Sequence, residues 1–257
     1  MPRRPIVGGN WKCNPADIAA LDGLVANINA CDTSRCDVYV CPSLLHVGMV
    51  YKSFTNGAKV APQNCNYKGC GAFTGEMAAD QMKGMGIQWC MVGHSERRGE
   101  FGLPTPAESN ELMATKMQYL LDKGINVILA IGEPLPIRKQ GLEAVVSYCV
   151  EQLEPCKAML DASKVVIAYE PVWSIGTGVT ASPEQAQETH AALRAWIADA
   201  VSDEVASKIR IQYGGSANAK NAGALSACPD VDGFLVGGAS LKPEFAEIVA
   251  AIAQAKA

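Results

Sequence analysis

No stretch of the 257-residue sequence approaches the roughly 20 consecutive apolar residues that a membrane-spanning helix needs. The longest informative apolar run, residues 127–131, ends at Gly132, so no membrane partner is expected. A secretory leader is not expected either. Met1-Pro2-Arg3-Arg4-Pro5 carries charge, but Ile6-Val7 gives way at once to Gly8-Gly9-Asn10, with no apolar segment between. Asn-x-Ser/Thr acceptor sites are absent. Ten cysteines in 257 residues fall well under the ~8–10% that marks a disulfide scaffold. Reduced thiols and a cytoplasmic location are therefore expected. Excess charge is lacking too. Lys and Arg total 22 against 26 Asp and Glu, a net −4, which leaves no electrostatic footprint for nucleic acid. A phosphorylated ligand would have to be drawn by local positive groups. Cys31/Cys36 and Cys65/Cys70 have the spacing of a four-thiolate zinc site, but no histidine stands near either pair. Small buried side chains are the simpler reading, and no metal is expected.

What is present is a core. Hydrophobic residues make up 49% and charged residues 19%, with a mean hydropathy of +0.07, which excludes a disordered chain. Eight short apolar runs recur, at residues 6–7, 38–41, 60–62, 89–92, 127–131, 165–169, 209–213 and 234–236. The best of them are apolar throughout rather than alternating, as in parallel strands covered on both faces. Helical stretches lie between them. Leu193, Ile197, Ala200 and Val201 form one stripe. Ser182, Pro183 and Gln185 mark its start as cap, first helical residue and capping-box partner. Similar helices are expected over 18–30, 109–123, 141–153 and 243–253, and the segments after Val60 and Ile209 are ambiguous. Eight units of about 32 residues suit strand-plus-crossover repeats. With no linker and no second composition block, a single (β/α)8 barrel domain over 1–257 is expected rather than an open doubly wound sheet.

Catalytic groups of such barrels sit just after the strand ends. Asn10-Trp11-Lys12 follows the first run, and strand alternation puts Asn10 and Lys12 on one side. An inward lysine needs an anionic partner; a solvated surface lysine is the plainer alternative. His94-Ser95-Glu96-Arg97-Arg98 follows the fourth run, with one of only three histidines. Ser95 could cap a short helix there, whose N-terminus would disfavour a charged imidazole at His94. Its alternative is a structural histidine in an Arg/Glu network. Glu170 directly follows the sixth run, where partial burial would raise its pKa toward that of a general base. Residues 171–178 then resemble a hinged lid with an apolar tip, against the alternative of an ordinary loop. Gly214-Gly215-Ser216 and Gly237-Gly238 close the seventh and eighth runs, as in barrels whose last two loops bind phosphate. Residues 176–181 fit a loose dinucleotide pattern, G-x-G-x-x-A. Six residues separate Tyr169 from Gly176, however, where the fingerprint needs a tight turn.

Taken in order, certain segments are specific to one family. They are Gly9-Asn10-Trp11-Lys12, Gly71-Ala72-Phe73-Thr74-Gly75-Glu76, Val92-Gly93-His94-Ser95-Glu96-Arg97-Arg98, Ala168-Tyr169-Glu170-Pro171-Val172-Trp173, Gly176-Thr177-Gly178, Tyr213-Gly214-Gly215-Ser216 and Gly233-Phe234-Leu235-Val236-Gly237-Gly238-Ala239-Ser240-Leu241. Along essentially its whole length the chain resembles the triosephosphate isomerases. The resemblance implies a TIM barrel that interconverts dihydroxyacetone phosphate and glyceraldehyde 3-phosphate without a cofactor. It implies Glu170 as the carbon base, His94 as a neutral electrophile, Lys12 as the cationic anchor, Asn10 as a positioning group and Glu96 as support for Lys12. Backbone N–H groups of Gly176, Ser216, Gly237 and Gly238 would hold the phosphate. The resemblance also implies a homodimer in which the loop carrying Thr74 docks near the partner's Asn10 and Lys12. Cys13 stands where many members have methionine, and strand alternation points it away from Lys12 toward that docking place. Departures are Ala130 in place of a usual cysteine, Ser174 and Val179 in the lid, and residues 99–106. A Schiff-base aldolase using Lys12 and an inactive phosphate-binding barrel are the competing functions. The first leaves Glu170 and its lid without a role, and the intact Lys12, His94 and Glu170 set argues against the second.

Overall fold

The eight apolar runs become the eight strands. These are β1 (Ile6–Asn10), β2 (Asp37–Cys41), β3 (Lys59–Val60), β4 (Trp89–Val92), β5 (Asn126–Ile131), β6 (Val165–Tyr169), β7 (Arg210–Tyr213) and β8 (Gly233–Val236). A computed structural model describes residues 3–99, 107–175, 177 and 180–256. All paired strands run parallel, in the order β3-β2-β1-β8-β7-β6-β5-β4. The two ends of that sheet meet. Met91 N–H of β4 donates to Pro62 O, just past β3, at 2.8 Å, which closes the barrel.

Alternation along each strand divides the core in two. Ile6, Tyr39, Cys41, Ile128, Ala130, Val166, Ala168 and Leu235 point inward and fill the barrel. Val7, Val38, Val40, Val127, Leu129, Val165 and Ile167 point outward and pack beneath the helices. Gly8 leaves room for a neighbour: a Cβ there would lie 2.1 Å from the Tyr39 ring. That ring crosses the barrel, and its hydroxyl donates to Gln212 Oε1 at 2.7 Å.

The crossover helices are α1 (Leu21–Asn29), α2 (Leu44–Val50), α3 (Ala79–Gly84), α4 (Asn110–Asp122), α5 (Leu135–Arg138), α6 (Leu142–Leu153), α7 (Pro183–Ala200), α8 (Asp203–Lys208), α9 (Ala222–Ser226) and α10 (Phe245–Ala255). The helix expected over 18–30 is a short 3-10 turn, Ile18–Ala20, followed by α1. Ser182 and Gln185 form the expected capping box on α7. Residues 61–78, between β3 and α3, form one long irregular excursion. Among the described residues, no helix is long and apolar enough to cross a membrane.

Candidate active site

The C-terminal ends of the strands ring a cavity of about 400 Å3. Asn10, Lys12, His94, Glu170, Ser216, Gly237 and Gly238 all line it, so most of the expected site converges. Gly176, Gly178, Val179 and residues 100–106 lie outside the described residues.

At the end of β1 the chain leaves the strand, and Lys12 adopts φ 52°, a left-handed conformation unusual for a side-chain-bearing residue. Three bonds hold it there. Its N–H donates to Asn10 Oδ1 at 3.0 Å, and its carbonyl accepts from Gln63 Nε2 at 2.7 Å. Its ammonium meets Glu96 Oε1 at 2.6 Å. The anionic partner that an inward lysine demands is therefore Glu96, which stands behind the cavity wall.

The turn after β4 is a 3-10 helix, Ser95–Arg97, and its cap corrects the expectation. His94 rather than Ser95 is the N-cap: its Nδ1 accepts from Glu96 N–H at 3.2 Å. An accepting Nδ1 carries no proton, so in the neutral ring the proton sits on Nε2. That Nε2 lies 3.0 Å from Glu170 Oε1. The second carboxylate oxygen accepts from Ser95 N–H at 3.1 Å.

Glu170 is only 2% exposed. Its position needs two glycines. A Cβ on Gly214 would come within 2.7 Å of Glu170 Cγ, and one on Gly132 within 1.7 Å of Glu170 O. Burial alone would raise its pKa, as the sequence suggests. A hydrogen bond from His94 Nε2–H, the Ser95 N–H and the charge of Lys12 outweigh burial and hold the carboxyl below its usual value. In this arrangement Glu170 is a carboxylate.

The root of the segment expected to act as a lid is Pro171 and a 3-10 turn, Val172–Ser174. Buried Glu133 holds this root, accepting from Trp173 Nε1 at 2.8 Å and Tyr169 OH at 3.1 Å. Ser216 Oγ donates to Ser174 O at 2.6 Å. On the far side, Tyr213 OH accepts from Ala181 N–H at 3.2 Å.

A profile of the family described as Triosephosphate isomerase matches residues 5–252. Similar chains include the "Triosephosphate isomerase" of Coprinopsis cinerea, 47% identical over 97% of this chain and 98% of the relative. A cytosolic one from Oryza sativa subsp. japonica is 45% identical over 97% of each chain. A chloroplastic one from Fragaria ananassa is 46% identical over 97% of this chain and 78% of the relative. The chain belongs to the triosephosphate isomerase family.

Of the family's usual residues that differ here, Ala130 is fully buried inside the barrel, and its carbonyl accepts from Arg98 at 3.2 Å. Ser174 is buried at the lid root.

Cys13 departs from the simple strand picture. Because β1 ends at Asn10 and Lys12 is left-handed, alternation no longer governs there. Cys13 is exposed, and it lines the same 230 Å3 cavity as Lys12, Leu44, Gln63 and Glu96. Thr74 is exposed on the long excursion, away from the main cavity. Cys31, Cys36 and Cys65 are buried as expected, whereas Cys70 is exposed. Among the described residues no group of three or more potential ligands could hold a metal ion.

Sequence reasoning missed Gln63, Glu133 and Tyr213 as supports. Gln63 and Glu133 each follow one of the eight apolar runs by one or two positions, and that proximity was their available signal.

Proposed function

We propose that Glu170, His94 and Lys12 carry out the interconversion of dihydroxyacetone phosphate and D-glyceraldehyde 3-phosphate that family membership assigns to this chain. The observation that carries this reading is the 3.0 Å approach of Glu170 Oε1 to a His94 Nε2 whose partner nitrogen is already occupied. Base and electrophile thus face one space with complementary protonation. Glu170 takes a proton from the carbon beside the carbonyl, and the C–H electrons flow into an enediolate. His94 Nε2–H and the Lys12 ammonium stabilise the oxygen that gains charge. The hydroxyl proton passes between the two substrate oxygens by way of His94 Nε2, the carbon proton returns from Glu170 to the neighbouring carbon, and the reaction needs no external reductant or oxidant. To reach carbon, Glu170 leaves Ser95 and His94. It thereby loses the donors that lower its pKa, and its basicity rises where it is needed. Ser216, Gly237 and Gly238, with Gly176, receive the phosphate, and Asn10 positions the substrate. The 2.6 Å contact with Glu96 engages the Lys12 side chain, which a Schiff-base aldolase would need free to attack a carbonyl.

The working unit is a homodimer. Leu44, Leu45 and Met49 are 49%, 81% and 49% exposed, and Tyr67 on the long excursion is 48% exposed. Leu44 also lines the cavity beside Cys13, and these exposed apolar side chains suit cover by the partner's Thr74 loop. Ten unpaired cysteines support a reducing, cytoplasmic setting.

Turnover of dihydroxyacetone phosphate in D2O tests the chemistry. Deuterium enters the carbon beside the carbonyl with wild type and does not with Glu170→Gln. Borohydride capture of a Lys12–substrate adduct during turnover would contradict the reading.

A further inference from the structure

The substrate carries a dianionic phosphate, and the protein carries a net charge of −4. The molecule as a whole therefore repels what it must capture, and capture depends on charges at the cavity mouth. Among the described residues, five ionisable side chains line the cavity: Lys12, His94, Glu170, Lys242 and Glu244. The first three are engaged in the depths, Lys12 with Glu96 at 2.6 Å and His94 with Glu170 at 3.0 Å. The last two are held differently. Lys242 Nζ lies 3.7 Å from Glu244 Oε1, beyond hydrogen-bond length, and their side chains are 68% and 31% exposed.

Their backbone is fixed close to the phosphate seat. A 3-10 turn, Gly238–Leu241, begins at the second phosphate glycine. Lys242 N–H donates to Ala239 O at 3.2 Å, and Phe245 N–H donates to Lys242 O at 3.1 Å as α10 begins. The two charges are thus anchored one short turn from Gly237 and Gly238, while the lysine side chain stays mostly exposed.

We propose that Lys242 and Glu244 form an opposed charge pair at the rim that sets how fast the dianion is captured. Lys242 draws the phosphate toward the Gly237–Gly238 turn. Glu244 opposes it, both by repelling the dianion and by holding the lysine back. Neither touches the reacting carbons, so the effect falls on kcat/KM and not on kcat. The proposal rests on the isomerase reading above.

Salt separates this role from a structural one. At ~10 mM ionic strength the Debye length is about 30 Å, and at ~0.5 M it is about 4 Å. With glyceraldehyde 3-phosphate at low salt, Lys242→Gln lowers kcat/KM roughly two- to fourfold, on the scale of one screened charge facing a dianion. Lys242→Arg restores it, and Glu244→Gln raises it. The curves converge at high salt, with kcat within about twofold throughout. Turnover of unphosphorylated D-glyceraldehyde is the same in all variants. A Lys242→Gln defect that persists at ~0.5 M salt, or that appears equally with D-glyceraldehyde, would overturn the proposal. So would an unchanged kcat/KM at low salt. Wild-type protein run in each series distinguishes these results from a failure of the isomerase reading, which would leave wild type inactive.

Discussion

His190 of α7 is fully buried, and among the described residues neither ring nitrogen has a hydrogen-bond partner. It packs edge-on against Tyr169, with ring centres 5.5 Å apart, and is tilted against Tyr213 at 6.3 Å. Burial, reinforced by the Arg194 cation, depresses its pKa to about 3. The unfolded chain binds a proton below about pH 6.5 that the folded chain refuses. Stability is therefore complete above that value, falls as pH drops, and has lost the whole contribution near pH 3. Denaturant unfolding at fixed protein concentration should show a slope on the order of 1.4 kcal/mol per pH unit between pH 6 and 5, where most carboxylates remain ionised. His190→Phe should remove most of that slope; an equal slope in both proteins would contradict the account. At this scale the convergence of the site was legible: Lys12, His94 and Glu170 each follow an apolar run and line one cavity. Their states were less legible. The pKa direction at Glu170 depends on His94 and Ser95, 76 and 75 positions away, and burial reasoning about one residue cannot contain them. The His94 cap needed a side-chain rotamer that no spacing encodes.

Among the elements, the segment after β6 joins Glu170, the proposed base, to a stretch that is held at both ends. Glu133 and Ser216 hold its first root and Tyr213 its second. Closure over the phosphate would exclude water from an enediolate that otherwise expels phosphate. Deleting residues 175–177 should leave the barrel folded yet release methylglyoxal during turnover. Clean isomerisation by the deletion variant would refute the lid's role. The strands were legible within one to three residues, because parallel strands covered on both faces are short apolar runs, and the widest miss is β1, which runs on through Gly8, Gly9 and Asn10. α7 was legible through its cap and stripe, and α4 and α6 as helical stretches of similar pattern. α2 was not, because Leu44, Leu45 and Met49 face outward while His46, Val47 and Val50 face inward. A helix that is apolar on both faces has no stripe to read. Its outer face makes sense once a second subunit covers it.

At the scale of the whole molecule, the single barrel follows from eight regular units with no linker, whereas its assembly rests on surface left uncovered. Burial pushes the Cys36 thiol up to about 12 and the Cys31 and Cys156 thiols to about 11, which makes them poor nucleophiles. Cys13 and Cys70 are the exposed thiols. A methylthio group on Cys13 would overfill a packed interface, at a cost of about 1–3 kcal/mol. Methyl methanethiosulfonate should inactivate wild type in step with a fall in mass from dimer to monomer, and more slowly at higher protein concentration. Cys13→Ala should resist. Equal inactivation of both proteins would assign the effect to another thiol, Cys70 first among them.

If the buried Glu170 carboxylate, facing His94 Nε2, moves the proton between carbons, turnover depends on its basicity. The most direct measurement is kcat for D-glyceraldehyde 3-phosphate in a coupled assay, with wild type and Glu170→Gln purified in parallel and their melting temperatures compared. The amide preserves size and removes basicity. Wild type should turn over, and the variant should lose at least about 10²–10⁴-fold in kcat while remaining folded. A folded Glu170→Gln protein with near-native turnover would contradict the account.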